Sequence, residues 1–285
     1  MSPHRLALFS PWFGRWPEWI NLHLESCRRN PKVTWFVPTD QEPPKNQPPN
    51  VRFLPMTMAQ FVARAEQTTG HHLTPENAYK LCDYRPLLGE MFFDDITDFT
   101  HFGYADNDVI FGQLDCELSQ NRLETYDIIS GHGDMQAGHL SVLKNTSRIR
   151  SAWRRTPKWK SKVLPPSHFA FDEGRFGRHL NPYKWHPPWR RYKVLWHEMH
   201  SMPDRAPVWL DGGPNPTEFH WKNGILTEPR CAKPQYAYLH FMLWRDRRHR
   251  HGTPAPWEAL LSVMKIAWRD AAEKGFVISH NGFTL

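Results

Sequence analysis

The chain has 285 residues, 40% of them hydrophobic and 23% charged; this is the balance of a soluble globular protein with enough length to bury a large core and open a cleft in it. Nowhere do 18 uncharged apolar residues follow one another, which excludes a membrane-spanning helix, and the four cysteines form no CxxC pair, which excludes a structural zinc or redox motif of that kind. The net charge of +7 suits an acidic partner, such as a nucleotide diphosphate, an anionic membrane surface or nucleic acid, without choosing among them.

Leu6 to Ser10 reads as a short buried strand, followed by the turn Pro11-Trp12-Phe13-Gly14. A helix starts near Pro17, with Trp19, Ile20, Leu22 and Leu24 roughly helix-spaced. Val33 to Val37 is a second strand, ending at Pro38-Thr39-Asp40, and Val51 to Leu54 a third. Thr57 to Gln67 is an amphipathic helix with Met58, Phe61, Val62 and Ala65 on one side. Thr74-Pro75-Glu76 has the form of a helix start, N-cap then proline, and the helix would run through Leu81 and Cys82 and past a kink at Pro86. His101 to Phe111 reads as one strand that breaks at an Asp pair. Strands alternating with helices predict an α/β fold with a mostly parallel sheet, whose ligands sit beyond the carboxyl ends of the strands.

The second half is less regular. Asp127 to Ser130 and Leu140 to Leu143 read as strands and Ser147 to Trp153 as helical. Asn223-Gly224, inside Phe219 to Leu226, is the strongest short hairpin signal in the chain. Tyr236 to Leu243 is an apolar strand or a short buried helix, and Pro256 to Glu273 a closing helix. There is no internal repeat, low-complexity tract or clear linker, so one domain over residues 1–285 is expected. The N-terminal apolar run Leu6 to Phe9 is too short for a signal-peptide core, and a reduced, cytoplasmic protein is expected, working at the inner face of a membrane if at a membrane at all.

The chemistry centres on Asp106-Asn107-Asp108, set between Phe102-Gly103-Tyr104-Ala105 and Val109-Ile110-Phe111-Gly112. Two carboxylates two residues apart at a strand end can converge on one hard cation, magnesium or manganese, which would neutralise a diphosphate leaving group. A bare Asp-x-Asp also recurs by chance in acidic loops. Lys80 and Asp83 share a helix face upstream, with Arg85 offset; they could hold phosphate and ribose, or form a solvated intrahelical pair worth about a few tenths of a kcal/mol. Asp40 could read a base or merely cap the next turn. Asp172-Glu173 follows Phe169-Ala170-Phe171, and either carboxylate could take a proton from an attacking hydroxyl.

Lys80-Leu81-Cys82-Asp83-Tyr84-Arg85-Pro86, followed by Phe102 to Gly112, resembles a bacterial family of glycosyltransferases of unassigned substrate. The likeness extends over Pro11 to Glu18, Ser130-Gly131-His132-Gly133, Gly138 to Ser141, Phe169 to Glu173 and Tyr238-Leu239-His240-Phe241, with a gap from Gly174 to Pro234 and with Met242 where that pattern carries Gln. The resemblance implies a GT-A fold, with about 1–115 as its nucleotide-binding half and about 116–285 as its acceptor-binding half, and transfer of a sugar from a nucleotide-sugar donor, preferably a UDP-sugar, to a glycan or lipid-linked acceptor in bacterial cell-surface polysaccharide synthesis. It further implies Mn2+ or Mg2+ at Asp106 and Asp108, Asp106 also reaching ribose, with His240 as third ligand; a core histidine bonded to a carbonyl is the plainer reading of His240. Asp172 is preferred over Glu173 as base of an inverting reaction, and Gly138-His139 as the floor for a sugar.

Trp185, Trp189, Trp196, Trp209 and Trp221 crowd the irregular region, to stack on sugar or to pack. The basic run Arg245, Arg247, Arg248 and Arg250 could meet anionic lipid or be a solvated face. No nucleic-acid-binding motif accompanies the charge. The rival classes are a metal-dependent phosphohydrolase or nuclease, which would need more clustered carboxylates, and a carbohydrate-binding module, which would leave Asp106 and Asp108 without a role.

Overall fold

The computed structural model describes residues 4–180, 191–205, 209–210, 212–230, 233, 235–245, 266–279 and 281–285. A seven-stranded sheet runs in the order β3-β2-β1-β4-β7-β6-β8. Its strands are β1 (Leu6–Phe9), β2 (Val33–Thr39), β3 (Val51–Pro55), β4 (His101–Ala105), β6 (Ile128–Ser130), β7 (Leu140–Lys144) and β8 (Val194–Trp196). Strands β1 to β4 pair in parallel, as does β6 with β8, while β7 runs antiparallel between β4 and β6. The sequence leads to this through short runs such as Leu-Ala-Leu-Phe in β1, buried at every position because both sheet faces are covered. The α/β, mostly parallel sheet flanked by helices is thus observed.

Helices α1 (Ile20–Arg28) and α2 (Met58–Thr69) follow β1 and β3. α2 begins with a capping box, Thr57 with Gln60, and ends at Gly70 in the left-handed conformation, so both sets of orphan backbone groups are served. The helix expected from Thr74 starts later: a 3-10 helix spans Ala78–Leu87, and Asn77, not Thr74, caps it by accepting from the Tyr79 N–H. Pro86 sits inside that helix, followed directly by the short helix Leu88–Met91.

The stretch from His101 to Phe111 breaks at the Asp pair, as expected, and its two parts are separate strands in different sheets. β4 belongs to the large sheet; β5 (Val109–Phe111) leaves it and pairs antiparallel with β11 (Tyr238–His240). Asp106, Asn107 and Asp108 are the corner between them. Asn107 is buried there, its Oδ1 2.9 Å from Ser10 Oγ, and its carbonyl accepts from Trp19 Nε1 at 3.0 Å. The corner is therefore fixed by β1 and α1, not by its own residues alone. The chain after β11 forms the helix Met242–Arg245, so the Tyr236–Leu243 segment is strand and helix in succession.

A second sheet, β10-β9-β12-β13, is antiparallel and is built from β9 (Glu218–Lys222), β10 (Ile225–Thr227), β12 (Phe276–Ser279) and β13 (Gly282–Thr284). Its β9–β10 hairpin turns at Asn223 (φ 51°) and Gly224 (φ 84°), the two positive φ values that a type I′ turn requires. Of the expected closing helix, the described part is Trp268–Lys274; residues 256–265 lie outside the described residues, as does most of the basic run beyond Arg245. Among the described residues, no helix is long and apolar enough to cross a membrane.

Candidate active site

A cleft of about 500 Å³ opens at the carboxyl ends of β1 and β4. Asp106, Asp108, His240, Arg85, Asp172 and Glu173 all line it. The β5–β11 ribbon brings His240, which lies far along the chain, onto the Asp corner: His240 is the register partner of Val109. Its Nε2 lies 3.3 Å from Asp108 Oδ1 and 3.8 Å from Asp106 Oδ2. One donor atom from each residue falls within 4.8 Å of the others, and this is the only such group of three among the described residues.

His240 is 3% exposed, and among the described residues neither ring nitrogen makes a hydrogen bond. A buried imidazole held only by such long ion-pair contacts is costly, and the two carboxylates facing it complete a donor set with the oxygen-and-nitrogen chemistry that suits a divalent cation. These residues fit a manganese or magnesium ion: two hard carboxylates, one imidazole, and an open cleft for water and phosphate oxygens. Among the described residues no carbonyl is hydrogen-bonded to the His240 ring, so the plainer reading of a core histidine bonded to a carbonyl finds no support there.

Behind the metal candidates stands a charge relay of fixed geometry. Arg85 Nη2 pairs with Asp106 Oδ1, and its Nη1 donates to Asp172 Oδ2 at 3.0 Å. Burial would lower the Arg85 guanidinium, but Asp106 and the other acids beside it outweigh that and hold it well above its ordinary value. Burial raises Asp172, opposed by Arg85; burial raises Glu173 too, reinforced by the Asp172 charge. Glu173 Oε1 accepts from the Gly138 N–H at 3.0 Å. A Cβ on Gly138 would lie 2.6 Å from Arg85 Nη1 and 2.7 Å from Glu173 Oε1, so any larger residue here must displace the ends of those side chains. Asp172 opens a π-helical turn, Asp172–Phe176, of the kind that often marks functional positions.

Other residues singled out from the sequence are placed differently. His139 does line the cleft, but as a ring stacked on His240 (4.5 Å, 25°) and set edge-on to His132 (4.4 Å). Burial, with the nearby His240 and His132, keeps it well below the usual histidine value, hence neutral. Lys80 and Asp83 are not in the cleft lining. Their side chains are 1% and 0% exposed, and they pair at 2.8 Å beneath it. Asp83 also accepts from the Phe169 and Phe171 N–H groups (2.9 and 2.7 Å), while Lys80 donates to the Lys162 carbonyl at 2.7 Å. Their task here is to hold the loop that delivers Asp172, and the solvated-pair reading is excluded by their burial. Asp40 is exposed and caps the turn after β1, accepting from the Gly14 N–H at 2.9 Å.

Trp209 and Trp221 are buried in the core, Trp196 is half-buried, and Trp185 and Trp189 lie outside the described residues. Sequence reasoning assigned no role to His132, Arg205, Tyr79 or His168, all of which line the cleft. Arg205 donates to Glu198 and Asp134 at 3.1 Å each and to the His132 ring. It lies in a stretch without periodicity, and no local signal marks it; His132 at least stands in the Ser130–Gly133 block.

The fold and site define an α/β protein with a carboxylate–imidazole centre suited to a divalent cation at the end of its central strand. The chain belongs to the family of unknown function DUF6625, which it matches over residues 8–274. No curated protein matches it. Among solved structures it is similar to the apo-form glycosyltransferase GlyE of Streptococcus pneumoniae TIGR4, at 11% identity and a TM-score of 0.41 over 69% of this chain and 46% of that one. It is also similar to the galactosyltransferase LgtC in complex with donor and acceptor sugar analogs (12%, TM-score 0.37, 59% and 71%) and to mouse xyloside xylosyltransferase 1 in its apo form (10%, TM-score 0.36, 62% and 78%). The chain spans less than half the length of the GlyE structure. Likenesses this shallow lend no weight to a function, which rests on the site itself.

Proposed function

We propose that the chain is a metal-dependent glycosyltransferase of GT-A type. The observation that carries this is the orphaned His240 imidazole facing Asp106 and Asp108 at the carboxyl end of β4. The motif blocks from Lys80 to Gly112 support a nucleotide-sugar donor, a UDP-sugar first, and a glycan or lipid-linked acceptor of bacterial surface polysaccharide. When bound, a divalent cation supplies charge neutralisation for the diphosphate leaving group. Asp106, Asp108 and His240 hold it. Arg85 fixes the aim of Asp106 and of Asp172 through its fork of two hydrogen bonds. Gly138 and His139 form the floor between the metal centre and Glu173.

The acceptor hydroxyl needs a base, and the geometry favours Glu173 over the Asp172 preferred from sequence. Asp172 has a side chain only 2% exposed and is engaged by Arg85. Glu173 is less buried and borders the cleft. Glu173→Gln is expected to lower kcat by about 10²- to 10⁴-fold with little change in donor KM. Because burial raises the Glu173 carboxyl, its basic form is reached only above the ordinary glutamate range; kcat/KM should rise with pH through that higher value. A base in line with the leaving group yields an inverted product. NMR of freshly formed product reads the anomer, and retention would remove the base assignment while leaving the metal site standing.

Gly138→Ala tests the floor. The added methyl pushes Arg85 and Glu173 apart, and misplacement of about 1 Å at a reacting centre costs on the order of 10²-fold in kcat/KM. Unchanged turnover would show that Glu173 and Arg85 need not share that point.

The whole reading is tested by incubating the protein with UDP-, GDP-, TDP- and CMP-sugars, with and without Mn2+. One nucleotide class should give metal-dependent thermal stabilisation and slow hydrolysis. Indifference to every nucleotide, with turnover of simple phosphoesters, would favour a phosphohydrolase instead.

A further inference from the structure

We propose that Tyr79 and His168 form a subsite for a pyranose ring, the acceptor sugar, at the mouth of the cleft. Naming that sugar the acceptor rests on the glycosyltransferase reading; the binding of a sugar there does not. Tyr79 is 66% exposed, the most exposed of the large aromatic and aliphatic side chains among the described residues, yet it lines the cleft. Its ring centroid lies 4.4 Å from that of His168, which also lines the cleft. A pyranose presents a flat face of polarised C–H bonds and a rim of hydroxyls. An exposed tyrosine face beside an imidazole offers the matching apolar surface and polar edge.

The backbone beneath Tyr79 and the ring of His168 are both held in place. The Tyr79 backbone N–H donates to the Asn77 side chain at 3.0 Å. His168 Nδ1 lies 3.4 Å from Asp83 Oδ1, and its Nε2 accepts from the Ala170 N–H at 3.2 Å. Ala170, which lines the cleft, sits at φ 47°, a strained position for a residue with a Cβ, and the Asp83 bonds on either side of it maintain that shape. A platform ordered before binding loses little entropy when a ligand docks.

The platform also lies where an acceptor must be. The 168–170 loop runs straight into Asp172 and Glu173, and Tyr79 and His168 line the same cleft as Asp106 and Glu173. Of the tryptophans of the second half, which could stack on sugar or pack, those described are buried or half-buried, so they pack. A separate aromatic pair, Trp12 and Phe13, comes off the end of β1 on the strand-end side where a nucleotide base would stack.

Saturation-transfer NMR with methyl α- and β-pyranosides of glucose, galactose and mannose, without nucleotide or metal, tests this directly. At least one glycoside should receive saturation on its ring C–H protons. Tyr79→Ala should weaken that binding by about tenfold or more, and Tyr79→Phe, which keeps the ring face, should restore most of it. Binding of no pyranoside by the native protein, or equal binding by Tyr79→Ala, overturns the proposal. In parallel, UDP with Mn2+ is titrated calorimetrically into both proteins. Affinities within twofold are expected, and a loss confined to Tyr79→Ala would assign the ring to the nucleotide and overturn the acceptor subsite. Failure of UDP and Mn2+ to bind even the native protein would count against the donor reading alone, since the glycoside titration involves neither.

Discussion

Asp108→Asn is expected to lower metal-dependent turnover of the preferred nucleotide-sugar by about 10³-fold, equivalent to about 4 kcal/mol of transition-state stabilisation. The substitution keeps shape and one carbonyl oxygen but removes the negative charge on a hard-cation ligand. Asp108 is the carboxylate nearer His240, at 3.3 Å, so its loss leaves the imidazole with only the Asp106 carboxylate, 3.8 Å away and already shared with Arg85. Asp106→Asn should cost at least as much, because it also frees one arm of the Arg85 fork. Initial rates against Mn2+ concentration provide the check: the variant should show no saturable metal response, and native-like saturation would contradict the ligand assignment.

Asp83→Ala is expected to destabilise the protein by about 3–5 kcal/mol, because it strands the buried Lys80 ammonium without its carboxylate. Burial already lowers the Lys80 ammonium below its ordinary value despite the Asp83 partner, so removing that partner leaves the full desolvation cost exposed. The same change unties the Phe169 and Phe171 N–H groups, leaving the buried Phe171 donor unsatisfied and loosening the loop that carries Asp172. Urea unfolding followed by circular dichroism measures the loss. A double variant, Lys80→Met with Asp83→Leu, should recover part of it, because an apolar pair of similar volume carries no charge to desolvate. A loss under about 1 kcal/mol for Asp83→Ala would mean that the pair is solvated after all.

Elements whose signals are local were legible in the sequence, most of them in the first half. β1, β2 and β3 are short apolar runs, α2 carries its own capping box, and Asn223-Gly224 sets its turn by backbone preference alone. What was not legible depends on partners far along the chain. The break at the Asp pair is a local signal, but apolar residues flank it on both sides, so nothing local shows that β5 leaves the large sheet to pair with β11. The 3-10 helix likewise starts at Asn77 because of a side-chain cap that competes with the equally good Thr74 signal.

The site divides the same way. Asp106, Asp108 and His240 were legible from motif blocks, and the fold brings them together. Lys80 and Asp83 read as a helical ion pair from their spacing, but spacing cannot tell a solvated pair from one sealed under the 168–171 loop. Tyr79 gave no signal because an exposed tyrosine at a helix start is ordinary in sequence and unusual only once the cleft beside it is seen.

The central claim is that Asp106, Asp108 and His240 form one divalent-metal centre that a nucleotide diphosphate completes. Titration of Mn2+ into the protein, with free ion followed by electron paramagnetic resonance, addresses it directly. One bound Mn2+ per chain, tightened by UDP and lost in Asp108→Asn and His240→Ala, is the predicted result. Mn2+ binding that survives both substitutions, or that UDP leaves unchanged, would contradict it.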